Sequence, residues 1–194
     1  MLFRSKLFSE DFKNDLERMM GLNIKKISED DLNKIKRIKL TYKKGDGTPK
    51  SYNLADLNYL KNLKLVVFDH FKFSNEDIEK IEKIPSLAYI HFDSCEFGTN
   101  HFNFKNSVAF VMFDMCKELD INMLNGIKAK SLKMVGSVLY PKSIDFSEFG
   151  DLDGFENGSW SGNATSLIFS ASNKQVRITS LNIEYKNASS TKIS

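Results

Sequence analysis

Apolar residues in this chain return at fixed offsets. Leu87, Ile90, Phe92, Cys95 and Phe97 occupy positions one, four, six, nine and eleven of one stretch. Leu63, Val66, Phe68, Phe71 and Phe73 take the same positions in the stretch before it, and Val108, Val111, Phe113 and Cys116 take the first four of them in the stretch after. A fourth set, Ala129, Leu132, Met134, Ser137 and Leu139, keeps the register, and the four starts are separated by 24, 21 and 21 residues. Around positions four and six the pattern has period two, which predicts a strand with one buried face. A unit of this length cannot bury its apolar side alone, so successive units are expected to stack.

Between these strands the period changes. Phe12, Leu16, Met19 and Met20 follow Ser9 at helical spacing, with Glu10 and Asp11 in the first turn and Gly21 after the last. This predicts an amphipathic helix within residues 1–26, extended by Phe3, Leu7 and Phe8, that covers the open end of the first unit. Ser28 and Asp31 form a capping-box pair before Leu32 and Ile35, and the chain then alternates at Ile38 and Leu40, so a short helix should feed a strand. Gly45, Gly47 and Pro49 mark a loop, and Leu54, Leu57, Leu60 and Leu63 a return segment. Ser74 and Asp77 repeat the capping box ahead of Ile78 and Ile81, and Pro85 ends that helix. Strands joined by such crossovers run parallel, which makes the expected class α/β. After Leu139 the register weakens. Phe149, Leu152, Gly154 and Asn157, then Ala164, Leu167, Phe169 and Ser172, then Ile178, Leu181 and Ile183 are the expected irregular terminal units of residues 140–183. The segment 184–194 has nothing to bury and is expected to be disordered.

The spacing of positions one to eleven follows L-x-x-L-x-L-x-x-N/C-x-L, and the chain resembles the leucine-rich-repeat proteins. The segment ISEDDLNKIKRIKL, Ile27 to Leu40, resembles the lead-in repeat of bacterial, internalin-like members. The resemblance covers residues 27–183 and is clearest over 63–139. It implies a solenoid with a parallel sheet on the concave side, short helices and turns on the convex side, and a helical N-terminal cap. It also implies a non-catalytic scaffold that presents its concave face to another protein. The chain departs from the pattern in preferring Phe, Ile and Val to Leu.

Composition removes some classes of function. The 194 residues carry a formal charge of +3 with 41% apolar residues, and acidic and basic residues alternate along most of the chain, so no nucleic-acid stripe or polybasic membrane patch emerges. The densest basic run, Lys34 to Lys39, alternates with Ile35 and Ile38 and reads as the solvated face of a strand. No stretch approaches the ~20 apolar residues of a membrane span, and the first residues carry charge in place of an apolar signal core, so a soluble, cytoplasmic protein is expected. Cys95 and Cys116 share the inward position nine and are expected as buried, reduced thiols.

The resemblance places ligand contacts at positions three, five, seven and eight. These are Leu65, Val67, Asp69 and His70; Tyr89, His91, Asp93 and Ser94; Phe110, Met112, Asp114 and Met115; Ser131, Lys133, Val135 and Gly136; and, from the lead-in strand, Arg37, Lys39, Thr41 and Tyr42. Asp69, Asp93 and Asp114 share position seven, so strands about 5 Å apart would stack three carboxylates. Their repulsion calls for compensation, from His70, His91 and Lys133, from a basic segment of a partner, or from a cation. Alternatively they accept from strand-end amides or face water. Leu65, Val67, Tyr89, Phe110 and Met112 form an apolar patch that a soluble monomer seldom leaves bare. A protein partner, the chain's own terminal segments, or a second copy in a homo-oligomer could cover it.

Catalysis has little support. His91 could lie diagonally across from Asp69 as an oriented base, the basis of a remote hydrolase alternative. No nucleophile is placed beside it, and glycine-rich phosphate loops, His-Glu-x-x-His and calcium-loop spacings are absent. No cofactor and no metal are expected.

Overall fold

The computed structural model describes residues 8–42, 47, 49–98, 102–104, 106–117, 119, 124 and 126–135. Beyond these it describes the backbone of strands at 143–145, 154–161, 166–168, 177–184 and 192–193. The chain is α/β. Strands β1 (Arg37–Thr41), β2 (Leu65–Asp69), β3 (Tyr89–Asp93), β4 (Val108–Asp114) and β5 (Ala129–Val135) lie side by side in chain order and all run parallel. The sheet continues through β7 (Gly154–Ser161) to β9 (Arg177–Glu184) and is not closed. A second parallel sheet joins β6 (Ser143–Asp145), β8 (Ser166–Ile168) and β10 (Lys192–Ile193) in the order β10-β8-β6.

The alternation read from the sequence is the alternation of burial. Ile38 and Leu40, Val66 and Phe68, Ile90 and Phe92, Val111 and Phe113, and Leu132 and Met134 are all buried on one face of the sheet. Against that face pack the return segments: a 3-10 helix at Leu54–Tyr59, whose Leu54 and Leu57 are buried, and α3 (Asn75–Glu82), whose Ile78 and Ile81 are buried. These two lie against each other. Both capping boxes form as expected, at Ser74 with Asp77 and at Ser28 with Asp31, the latter opening α2 (Glu29–Lys34). Phenylalanine at position six makes a stack across strands. Phe92 lies nearly parallel to Phe68 (5.7 Å between ring centroids) and to Phe113 (5.1 Å), while Phe73 and Phe97 meet it edge-on. The departure from leucine is thus a choice of aromatic packing.

After each of β2, β3 and β4 the chain turns through a left-handed residue that is not glycine: His70 (φ 61°), Ser94 (φ 54°) and Met115 (φ 51°). Each such residue costs on the order of 1–2 kcal/mol, and the lateral bonds His70 N to Asp93 O (2.9 Å), Ser94 N to Asp114 O (2.7 Å) and Met115 N to Val135 O (2.8 Å) offset part of it. The turn directs position eight outward and position nine inward. Phe71, Cys95 and Cys116 are consequently buried. The two thiols are free and donate to the Phe68 and Phe92 carbonyls at 3.4 Å. Burial, followed by the neighbouring Cys116, pushes the Cys95 thiol well above its ordinary range, so it is no nucleophile.

The N-terminal helix, α1 (Glu10–Met20), begins and ends as read, with Gly21 in the left-handed conformation (φ 64°). It is tied down by a buried polar network that the apolar pattern did not reveal. Asp15 Oδ1 and Oδ2 lie 2.8 and 3.0 Å from Lys50 Nζ, and the Tyr52 hydroxyl donates to Asp15. Asp11 accepts from the Ser51 amide (2.6 Å), and Asp56 accepts from both the amide and the hydroxyl of Ser9 at 2.8 Å. Ser9 therefore ties the helix start to the return segment and makes no side-chain cap of its own helix. Burial and then the Asp15 carboxylate push the Tyr52 phenol upward, so it stays a neutral donor. Met19, expected on the buried face, is 44% exposed. The last turn of the helix lines an open groove with Ile35, Lys36 and Arg37.

The C-terminal register also differs from the reading. Leu132 pairs with Phe155 and Met134 with Asn157, so position four of that unit is Phe155, three residues beyond Leu152. The strand at Ser166–Ile168 belongs to the second sheet. Without sustained period-two alternation nothing in the residues pins that register. Within 184–194, Lys192 and Ile193 pair with Ser166 and Leu167; residues 185–191 lie outside the described set, as do Phe3, Leu7, His101, Gly136, Ser137 and Leu139.

Gly126 approaches the backbone of Phe102 so closely that an added Cβ would stand 1.5 Å from its carbonyl oxygen. Gly126→Ala is expected to cost about 1–3 kcal/mol, because backbone must move to admit the methyl; a urea midpoint that does not move would show that this approach is loose.

Candidate functional site

The face of the sheet opposite the core carries the residues at positions three, five and seven, and the observed register places them in straight rows. Arg37, Leu65, Tyr89, Phe110 and Ser131 are successive pairing partners in the first row; Lys39, Val67, His91, Met112 and Lys133 in the second; Thr41, Asp69, Asp93, Asp114 and Val135 in the third. Counting positions thus located every neighbour on this face from β1 to β5.

The apolar patch is real and partly open. Leu65, Val67, Phe110 and Met112 are half-buried and Tyr89 is 46% exposed. The described ties of α1 run to the chain after β1, at Lys50, Ser51, Tyr52 and Asp56, and none runs to this patch. Met115, at the left-handed turn after β4, is 58% exposed and extends the apolar surface beyond the strand ends. It lines a groove of about 450 Å³ with Tyr42, His70, Phe71, Lys72, Ser94, Glu96 and Lys117. The resemblance places Met115 among the contact positions, and its exposure at the turn adds it to the apolar patch.

The carboxylate row exists, and its three members are not equivalent. Asp69 is held by Lys39 Nζ at 2.9 Å, by the His70 imidazole and by Thr41 Oγ1 at 3.3 Å. Burial raises its carboxyl, but Lys39 and then His70 outweigh that, and the net effect is a lowered pKa. The same pair raises Lys39. Lys39 is the compensator that the sequence reading did not assign; it stands diagonally across one strand boundary from Asp69, as Lys133 does from Asp114. Asp93 accepts from Ser94 Oγ at 3.0 Å. Asp114 has His91 Nε2 at 3.9 Å. His91 is therefore drawn toward Asp114 on β4 and not toward Asp69 on β2, which Lys39 and His70 already occupy. Its Nε2 is enclosed and makes no hydrogen bond. Among the described residues, no group of three His, Cys, Asp or Glu side chains is placed to hold a metal ion.

Set against known proteins, the chain matches no family model and no curated protein. The site therefore rests on geometry alone. No described helix is long and apolar enough to cross a membrane.

Asp69→Asn is expected to reduce stability at pH 7 by up to about 1 kcal/mol, since the pair is part-exposed. A lowered folded pKa means this contribution is present above the ordinary carboxylate range and fades as pH falls through the folded value. Urea midpoints of both proteins at pH 7 and pH 3 check it: the gap narrows in acid, and a gap of equal size at both would point to lost packing.

Proposed function

We propose that the chain is a leucine-rich-repeat scaffold, non-catalytic and cytoplasmic, that binds another protein through the open face of its sheet. The observation that supports this most is the combination, on one rigid face, of an aromatic and methionine surface with a row of carboxylates beside it. Such a mixture of apolar anchors and polar rim suits a protein interface. Parallel strands in sequential order, units of 21 to 24 residues over the clearest stretch, and two free thiols suited to a reducing compartment accord with the reading.

The test passes lysate from the native source over immobilised protein beside a Phe110→Glu variant that folds. Proteins retained by the native form are expected to be lost by at least tenfold on the variant, since a charge placed in the anchor row leaves an uncompensated buried group. Equal retention on both would reject the face. Sedimentation of the two proteins separates the homo-oligomer alternative: a native mass above the monomer that Phe110→Glu halves would mean the patch is buried against a second copy.

A further inference from the structure

Resting on the outer face as a protein-binding surface, we propose that its partner docks as a peptide segment with one arginine. Its guanidinium bridges Asp93 and Asp114, and an apolar side chain of the same segment covers Tyr89 and Phe110.

The argument begins with the inequality within the carboxylate row. Asp69 has its own cation in Lys39. Among the described residues no lysine or arginine forms an ion pair with Asp93 or Asp114, whose contacts are the Ser94 hydroxyl and a histidine nitrogen beyond hydrogen-bond distance. Yet the two are direct pairing partners on β3 and β4, so a strand spacing of about 5 Å sets two like charges side by side. A group that can accept this position must be cationic and must offer donors to two acceptors at once. The planar guanidinium, with five N–H donors in a fixed fork, does this, whereas an ammonium serves as a point charge.

The surroundings limit the partner further. Lys39 and Lys133 stand in the middle row, one at each side of the patch, and Lys39 is already paired with Asp69, so among the described residues of this face the acidic acceptors left for an incoming cation are the adjacent Asp93 and Asp114, which suit a single central one. Tyr89 and Phe110 lie four residues back along the strands from the carboxylates, about 13 Å away at the usual rise. The apolar anchor of the segment must sit at that distance from its arginine. Past the carboxylates, the groove beside Met115 and Phe71 gives the segment a way off the sheet.

The experiment selects peptides from a displayed random library against the full-length chain and measures their affinities for the native protein, for Asp93→Asn with Asp114→Asn, and for Phe110→Glu. The asparagine variant keeps the shape and removes the repulsion, so folding is preserved. Selected peptides are expected to carry an arginine and an apolar residue. They should lose at least about tenfold in affinity on the asparagine variant, and replacing the peptide arginine by glutamine should add little further loss there. Peptides without arginine that still depend on Phe110 would overturn the arginine and leave the binding face standing. Peptides indifferent to Phe110→Glu would overturn the face itself. An empty selection, or equal affinity for native and asparagine proteins, would overturn the proposal.

Discussion

Phe92→Ala lowers the stability of this protein by about 3–5 kcal/mol, the usual range for emptying a buried phenylalanine site. Phe92 is fully buried at the centre of an aromatic array. It touches Phe68 and Phe113 face to face, Phe73 and Phe97 edge to face, and Phe102 at 5.9 Å between ring centroids. Truncation removes these contacts together and leaves a void between two strands whose backbone pairing prevents collapse, so the cavity persists. Phe92→Leu refills most of the volume and is expected to cost less, on the order of 1–2 kcal/mol. Urea unfolding with an unchanged slope measures both; a loss below about 1 kcal/mol for the alanine variant would mean that the strands move to close the gap.

Asp15→Ala is the second large effect, again about 3–5 kcal/mol, for a different reason. It deletes the counter-ion of Lys50, whose side chain is only 10% exposed, and leaves that ammonium with the Tyr52 hydroxyl as its remaining described partner. The loss is a penalty for an unpaired buried charge more than the value of the pair. Replacing both groups, Asp15→Leu with Lys50→Met, is therefore expected to recover most of it. Failure of the double variant to recover would assign the damage to the packing of α1. Arg18, 3.0 Å from Asp15 but largely exposed, is too solvated to contribute much.

What could be read from residues alone divides along physical lines. Strands β2 to β5, both capping boxes and the three rows of the outer face followed from period two, from a serine three residues before an aspartate, and from a constant register. These are local signals, and parallel pairing in sequential order carries them from one strand to the next. The tie between α1 and Lys50 was not legible, because its partners stand 35 residues apart and sit on a helix face that the apolar residues seemed to fill. Likewise the choice of Lys39 over Lys133 as the cation of the carboxylate row depends on which side chain reaches across, which spacing does not encode. Left-handed turns at His70, Ser94 and Met115 had no glycine to announce them. Past Leu139 alternation fades, and with it the register; there Phe155, and not Leu152, pairs with Leu132.

The most direct test of the open face as a binding surface is hydroxyl-radical footprinting of the full-length protein, alone and with a protein captured on it. Tyr89, Met112 and Met115 are the reactive reporters on that face, and Met19 and Tyr59 are exposed reporters away from it. The account predicts that oxidation of Tyr89, Met112 and Met115 falls in the complex while Met19 and Tyr59 react as before. Protection of Met19 and Tyr59 with Tyr89, Met112 and Met115 unchanged would contradict it and move the binding surface to the helical side of the molecule.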